Sequence, residues 1–232
     1  MLDPTLPDRE MFKQDPGGYS RSGWMRWAML AETHGAEIDP VKPPTSDDLK
    51  NPVLWLAQAE AMTQAAFVLV KHEPTFENSP LEIRGICDAQ YCAVALMLVG
   101  YSLEVCLKAM IIMRGGVDAY AETESNYQHH KLHKLADFIT DLSKKDLAIL
   151  EMLTHFVYWA GRYPDPGRKG INKHEEIFKL SEENQISAHD LFKLAAQVMM
   201  HVKKLVPDEM EGSKLEHQAD CPTPVAQPAR RV

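Results

Sequence analysis

The stretch AQYCAVALMLVGYSL, residues 89–103, is the longest apolar run in the chain, and the acidic residues Asp88 and Glu104 bound it. Its length of about fifteen residues falls short of the roughly twenty that a membrane-spanning helix needs. Two glycines follow at 115–116, and glycine commonly ends a helix. The sequence therefore predicts one long helix over about 81–114, with its apolar centre buried in a protein core and no membrane segment.

Helical spacing of apolar residues recurs on both sides of this helix, whereas strand and hairpin signals are nearly absent. We therefore predict an all-α fold, an up-and-down helical bundle. Its parts are an N-terminal extension over 1–45 with a short helix, the bundle over 46–206, and a flexible polar tail over 207–232. The other predicted helices cover about 23–34, a segment through 49–72 that begins near Ser46, Asp47 or Pro52, 133–142, 145–159, a short turn at 175–180, and 187–206.

Composition limits the partners and the compartment. The 45% hydrophobic and 25% charged residues are values typical of a globular protein. The net charge of −8 argues against unspecific nucleic-acid binding through overall charge, while it leaves room for a local basic site. The cysteines show neither CxxC nor zinc spacing, and the N-terminus lacks the basic and apolar segments of a signal peptide. These features predict a reducing, cytoplasmic setting.

A charged pair stands within the long predicted helix, in YSLEVCLKAM at 101–110. Glu104 and Lys108 are four residues apart, so they share a helix face and can form an ion pair. Their neighbours are overwhelmingly apolar, and a buried charge is costly unless it is paired. Two alternatives follow: either this face borders a cleft, or the pair is an ordinary exposed one, which is the more common case on helices.

Histidines crowd the segment HHKLHKL, residues 129–135. His129 and His133 are four apart and His130 and His133 three apart, a spacing that suits metal ligation only on a helix. The sequence holds no HExxH, no phosphate-binding Gly-Lys-Ser/Thr loop, no GxGxxG after a strand, no GxSxG and no evident DNA-reading helix. We therefore expect no metal and no cofactor. We interpret these histidines mainly as residues on the solvent-facing side of a helix start.

The segment WAGRYPDPGRKG, residues 159–170, follows an apolar helical run. Arg162 stands at the predicted helix end, where a basic side chain meets the helix dipole favourably, and Pro164 stops the helix. Further basic and aromatic residues follow, and a planar guanidinium is well suited to bind an oxyanion. The cluster is therefore either a phosphate site or a solvated loop; its other members are Tyr163, Arg168, Lys169, Lys173 and His174.

In their order along the chain, three motifs resemble the HEPN superfamily of helical bundles. They are GYSLEVCLKAMI at 100–111, HKLHKLADF from His130, and LEMLTHFVYWAGRYP from Leu150, with a matching core over about 85–205. One branch of that superfamily has an LE…LKA helix, a His-x-Leu-x-x-Leu helix start, and a later helix ending in Arg-Tyr-Pro. His130 fits the middle motif, and His133 fits it nearly as well.

The resemblance implies a homodimer and a choice between catalysis and binding. Many HEPN domains are metal-independent ribonucleases of toxin or defence systems, and others bind nucleotides or are non-catalytic modules. The nuclease signature is an Arg, four to six residues and a His; Arg168 and His174 have this spacing here. The setting departs from the family, because Gly170 and Lys169 lie in the spacer and a Pro-Gly pair at 166–167 precedes it.

Three functional hypotheses follow. In the first, which we favour, Glu104, Lys108, His130 or His133, Arg162 and Tyr163 line one cleft that binds a nucleotide, RNA or another anion. In the second, His174 takes the proton from a ribose 2′-hydroxyl and Arg168 stabilises the charged transition state of RNA cleavage. In the third, the polar residues set helix ends and the Met-rich segments at 110–113 and 198–200 pack in a protein interface.

Overall fold

A computed structural model describes residues 5–170 and 172–205, and the described part is helical without any strand. The prediction of an all-α bundle with an N-terminal helical extension is therefore confirmed. Single turns of 3₁₀-helix lie at Asp48–Lys50, Leu81–Ile83, Glu124–Tyr127 and Arg168–Gly170. The α-helices are α1 (Arg9–Gln14), α2 (Pro16–Arg21), α3 (Gly23–Thr33), α4 (Pro52–Lys71), α5 (Arg84–Gly115), α6 (Val117–Thr123), α7 (Leu132–Leu135), α8 (Lys144–His155), α9 (Lys173–Asn184) and α10 (Ala188–Leu205).

Helix α5 is the centre of the bundle, as its apolar run predicts. Most residues of its second half are buried, and α4, α8 and α10 pack around it. Gly100 allows a close approach, because a Cβ at this position would lie 2.5 Å from Val157 Cγ2 and 3.3 Å from the Leu153 carbonyl oxygen. Burial of these faces supplies the main stabilising free energy of the fold.

Local sequence signals set several helix starts. Asn51 caps α4 by accepting a hydrogen bond from the Val53 amide, and Pro52 occupies the first helical position, where its missing N–H costs nothing. Of the three possible starts that the sequence left open, the one at Pro52 is observed. Ser143 and Asp146 form a capping box at α8. Ser187 accepts a hydrogen bond from the Asp190 amide, as predicted for the cap of the last helix.

Helix α8 continues into a π-helical turn over Phe156–Ala160. The Gly161 amide donates to the Phe156 carbonyl 3.1 Å away, five residues back, instead of four as in an α-helix. The wider turn inserts one extra residue and changes the direction of the side chains that follow. Such turns occur frequently at functional sites, and this one carries the aromatic residues discussed below.

Other boundaries differ from the prediction. The helix expected over 133–142 is only Leu132–Leu135, because the chain then turns so that Ala136 and Ile139 also reach the core. Helix α6 and the 3₁₀ turn at Glu124–Tyr127 lie between α5 and α7, where no helix was predicted. Helices α1 and α2 were not predicted, and the expected short turn at 175–180 is the longer α9. The expected flexible tail at 207–232 lies outside the described residues.

Two helical segments are long and apolar enough to cross a membrane, namely Pro52–Lys71 and Leu81–Gly115. By length and composition alone this is weak evidence, since the core helix of a soluble protein has the same properties. The more hydrophobic of the two is the central helix of the bundle, and more than half of its most apolar window is buried in this chain.

Candidate functional site

Glu104 lies on α5; its carboxylate is buried and both of its oxygens are hydrogen-bonded. Oε1 accepts from Lys108 Nζ at 2.8 Å and Oε2 accepts from His130 Nδ1 at 2.7 Å. The Glu104 side chain is 6% exposed and the Lys108 side chain 13% exposed. The pair is therefore not the ordinary exposed pair that helix statistics favour. A buried carboxylate with two charge-assisted hydrogen bonds holds its partners firmly in place.

His130 is positioned from several directions. Its ring meets Tyr101 and Tyr158 edge-on, with ring centroids 6.0 and 5.4 Å away. Just after it, the Leu132 amide donates to Thr154 Oγ1 at 3.1 Å, which fixes the segment against α8. Because the carboxylate accepts from Nδ1, this nitrogen carries the proton. Nε2 makes no hydrogen bond to any described residue and belongs to a ring that is only partly buried.

Tyr158 contacts His130 of the carboxylate–histidine pair and also contacts two further cations. It lies in the π-helical turn and is half exposed. Lys173 Nζ lies 5.7 Å from the centre of the Tyr158 ring, and the Arg162 guanidinium donates to the Tyr158 backbone carbonyl. We call Glu104, His130, Tyr158, Arg162 and Lys173 the Tyr158 surface.

Charged groups of both signs lie around this surface. His129 has a lowered pKa, first because burial disfavours its charged form and then because the charges of Lys108 and Lys131 oppose protonation, while Glu104 acts against this shift. Glu104 is bonded to Lys108 and His130, whereas Arg162 and Lys173 bring two further cations to Tyr158.

Two predicted site residues lie away from Glu104. His133 is in α7, and its Nδ1 atom is buried without a hydrogen-bond partner among the described residues. It is therefore His130, and not His133, that contacts Glu104. Tyr163 is exposed, and the Arg162 guanidinium lies 5.5 Å from its ring centre. Tyr163 lines a small aromatic pocket on the far side of the π-helical turn.

The structure does not bring Arg168 and His174 into contact. Arg168 is exposed in its 3₁₀ turn, whereas the His174 ring packs edge-on against Trp159 with centroids 4.6 Å apart. Between these two described side chains there is no hydrogen bond or ion pair. Within residues 5–170 and 172–205, no group of three or more His, Cys, Asp or Glu side chains is arranged to hold a metal ion.

Sequence reasoning missed Tyr101 and Tyr158, because both stand in apolar helical stretches and look like core residues. A usable signal exists for Tyr158, which is four residues before Arg162 and therefore close to it on a helical turn. Comparison with known proteins finds no matching family model, no matching curated protein and no matching solved structure. The HEPN resemblance thus rests on the motifs of this sequence alone.

Proposed function

We propose that this chain is a HEPN-like helical module that binds a nucleotide, RNA or another phosphate-bearing ligand at the Tyr158 surface. The observation that carries the proposal is the 2.7 Å hydrogen bond from His130 to the buried Glu104 carboxylate. It holds a histidine with a free Nε2 beside a half-exposed tyrosine, and two cations, Arg162 and Lys173, contact the same tyrosine.

The parts of this surface suit a phosphate and its attached group. Arg162 supplies a planar guanidinium, Lys173 a mobile ammonium, and His130 a ring nitrogen that becomes a second donor when it is protonated. The exposed ring of Tyr158 offers a flat face to a sugar or a base. Glu104 does not repel the ligand, because both of its oxygens are already bonded to positive or N–H groups.

The test is a calorimetric titration of the purified chain with a five-nucleotide single-stranded RNA, repeated over a range of salt concentrations. Loss of one charge-assisted hydrogen bond in Lys173→Ala or Arg162→Ala should weaken binding about tenfold. Each variant should also reduce the slope of log affinity against log salt by about one. Lys179→Ala is the matched control, because Lys179 lies on the same helix as Lys173 and its side chain is 71% exposed.

A wild-type chain with no affinity for the RNA or for nucleoside monophosphates would overturn the proposal and favour a purely structural module. Equal effects of the Lys173 and Lys179 substitutions would also contradict it. RNA cleavage by the wild type would instead favour the ribonuclease alternative. That activity should then depend on His174 and Arg168 if the family signature is catalytic.

We further propose that the module acts as a homodimer. The supporting observation is that α4 leaves Val53, Phe67 and Val68 about half exposed or more. Exposed apolar patches commonly mark protein contacts. Light scattering of the purified chain distinguishes a dimer from a monomer. Phe67→Glu should shift a dimer to the monomer, and a monomeric wild type would contradict the proposal.

A further inference from the structure

A small pocket adjoins the Tyr158 surface across the π-helical turn. It has a volume of about 230 Å³ and is lined mainly by aromatic residues from α9, from the π-helical turn and from the segment just after that turn. We call it the Trp159 pocket; the residues that matter here are Gln90, Phe156, Trp159, Tyr163, His174 and Phe178. Its size is below that of pockets for drug-sized ligands and suits one planar ring system.

Trp159 is the unusual residue of this pocket. Only 6% of it is exposed, and its indole N–H is buried without a hydrogen-bond partner among the described residues. A buried donor without an acceptor is costly, so native proteins rarely keep one without a reason. Because solvent does not reach the indole N–H, the pocket offers a ligand the ring of Trp159 and not this donor. Gln90 on α5 adds an amide that can donate and accept at the same pocket.

The pocket and the Tyr158 surface are built from the same two segments. On the π-helical turn, Tyr158 belongs to the surface and the next residue, Trp159, to the pocket. On α9, Lys173 contacts Tyr158 and the next residue, His174, contacts Trp159. Arg162 stands between the two sites, because it contacts the Tyr158 carbonyl and lies over the ring of Tyr163.

The residues of helix α5 that contact the two sites give the distance between them. Tyr101 contacts His130, whereas Gln90 and Ala93 line the pocket. At 1.5 Å per helical residue, these positions are roughly 12–17 Å apart along the helix axis. A single phosphate group cannot span this distance. A strand can, because its phosphates follow each other about every 3.4 Å when it is stacked and at longer intervals when it is extended.

From this arrangement we propose that the Trp159 pocket binds one unstacked base of a single-stranded oligonucleotide, while the adjoining backbone phosphates lie on the Tyr158 surface. The inference rests on the proposed function and names its ligand class. Aromatic rings stack on the base, and the Gln90 amide bonds to its polar edge. An oligonucleotide should therefore bind more tightly than a mononucleotide, which cannot reach both sites.

The test compares a labelled five-nucleotide RNA with an abasic strand of the same length, by fluorescence anisotropy at one salt concentration. The wild type should bind the RNA about tenfold more tightly than the abasic strand. Phe178→Ala should remove most of this preference while leaving abasic binding unchanged. Phe178 is 66% exposed, so the variant should fold. Gln90→Ala, which removes the amide at the pocket, should weaken RNA binding about 2- to 10-fold.

Phe12→Ala is the matched control, since Phe12 is an exposed aromatic residue on α1 and does not line the pocket. Equal binding of RNA and abasic strand by the wild type would overturn the base-binding pocket and leave the phosphate site intact. Equal effects of the Phe178 and Phe12 substitutions would do the same. Failure to bind either strand would overturn the proposed function as well, so the two failures are distinguishable.

Discussion

The Glu104–His130 pair and the Arg168–His174 segment use similar residue types, yet the chain holds them in different ways. Glu104 is buried in the central helix, where Lys108 donates a hydrogen bond to it. One hydrogen bond to Glu104 and two aromatic contacts fix His130 beside it. Arg168 stands on an exposed 3₁₀ turn and makes no hydrogen bond or ion pair with a described residue. The comparison teaches that spacing along a chain identifies candidates, while burial decides which of them are preorganised.

The largest effect should come from removing the carboxylate at the centre of the first region. Glu104→Ala leaves the mostly buried Lys108 ammonium and His130 without their shared acceptor. Breaking a buried pair in this way costs about 3–5 kcal/mol of unfolding free energy, measured by urea denaturation. The double variant Glu104→Leu with Lys108→Met is the control, and it should recover much of the loss because no uncompensated charge remains. A loss below about 1 kcal/mol for Glu104→Ala would mean that solvent reaches the pair.

The next effect concerns the close approach of α5 to the π-helical turn that carries Tyr158. In Gly100→Ala the new Cβ would lie 2.5 Å from Val157 Cγ2, so α5 and the π-helical turn must move apart. We expect a loss of about 1–3 kcal/mol, together with weaker ligand binding. Gly85→Ala is the matched control on the same helix, because no heavy atom lies within 4 Å of its Cβ. It should stabilise the chain by about 0.5–1 kcal/mol; equal effects at both glycines would contradict the close packing.

The contrast also marks how far the sequence predicts the fold. Long helices with apolar faces and capping residues, such as α4 after Asn51 and α5 before its glycines, follow from local signals. Helix α7 does not, since its end depends on Leu135 and Ile139 both reaching the core through a turn. A contact of that kind depends on distant parts of the chain, and the apolar spacing at 133–142 is equally compatible with a helix.

The same limit applies to the site. The Glu104–Lys108 pair follows from a four-residue spacing, whereas the bond from Glu104 to His130 joins residues 26 apart. Sequence reasoning found both partners but could not choose between His130 and His133. Tyr158 and Trp159 escaped it because a π-helical turn changes the faces that an α-helical pattern assigns. Which residues become preorganised is therefore decided by tertiary packing.

A smaller effect should appear in the pH dependence of stability. Burial lowers the pKa of His155 below its ordinary value of 6.5; Glu176 partly opposes this shift and Lys173 adds to it. The unfolded chain therefore binds a proton more readily than the folded one, so stability should fall as the pH decreases below about 6.5. His155→Gln should flatten the curve between pH 7.5 and 5. The unfolding temperature, measured between pH 7.5 and 5, follows this change in stability, and carboxylates are still largely ionised in that pH range. The lowered pKa of His129 acts in the same direction, so some slope should remain; an unchanged slope in His155→Gln would contradict the assignment.

The smallest effect should come from Arg168 in the second region. Arg168→Ala removes an exposed side chain, so the unfolding free energy should stay within about 0.5 kcal/mol of the wild type. RNA affinity should fall by less than it does in Lys173→Ala, because Lys173 contacts Tyr158 and Arg168 does not. The decisive measurement adds a search for products with a 2′,3′-cyclic phosphate after incubation with RNA in the presence of a chelator. Cleavage that disappears in both Arg168→Ala and His174→Ala would reverse the comparison. Substrate would then have to bring the exposed arginine and the packed histidine together, and the preorganised Glu104–His130 pair would serve binding alone.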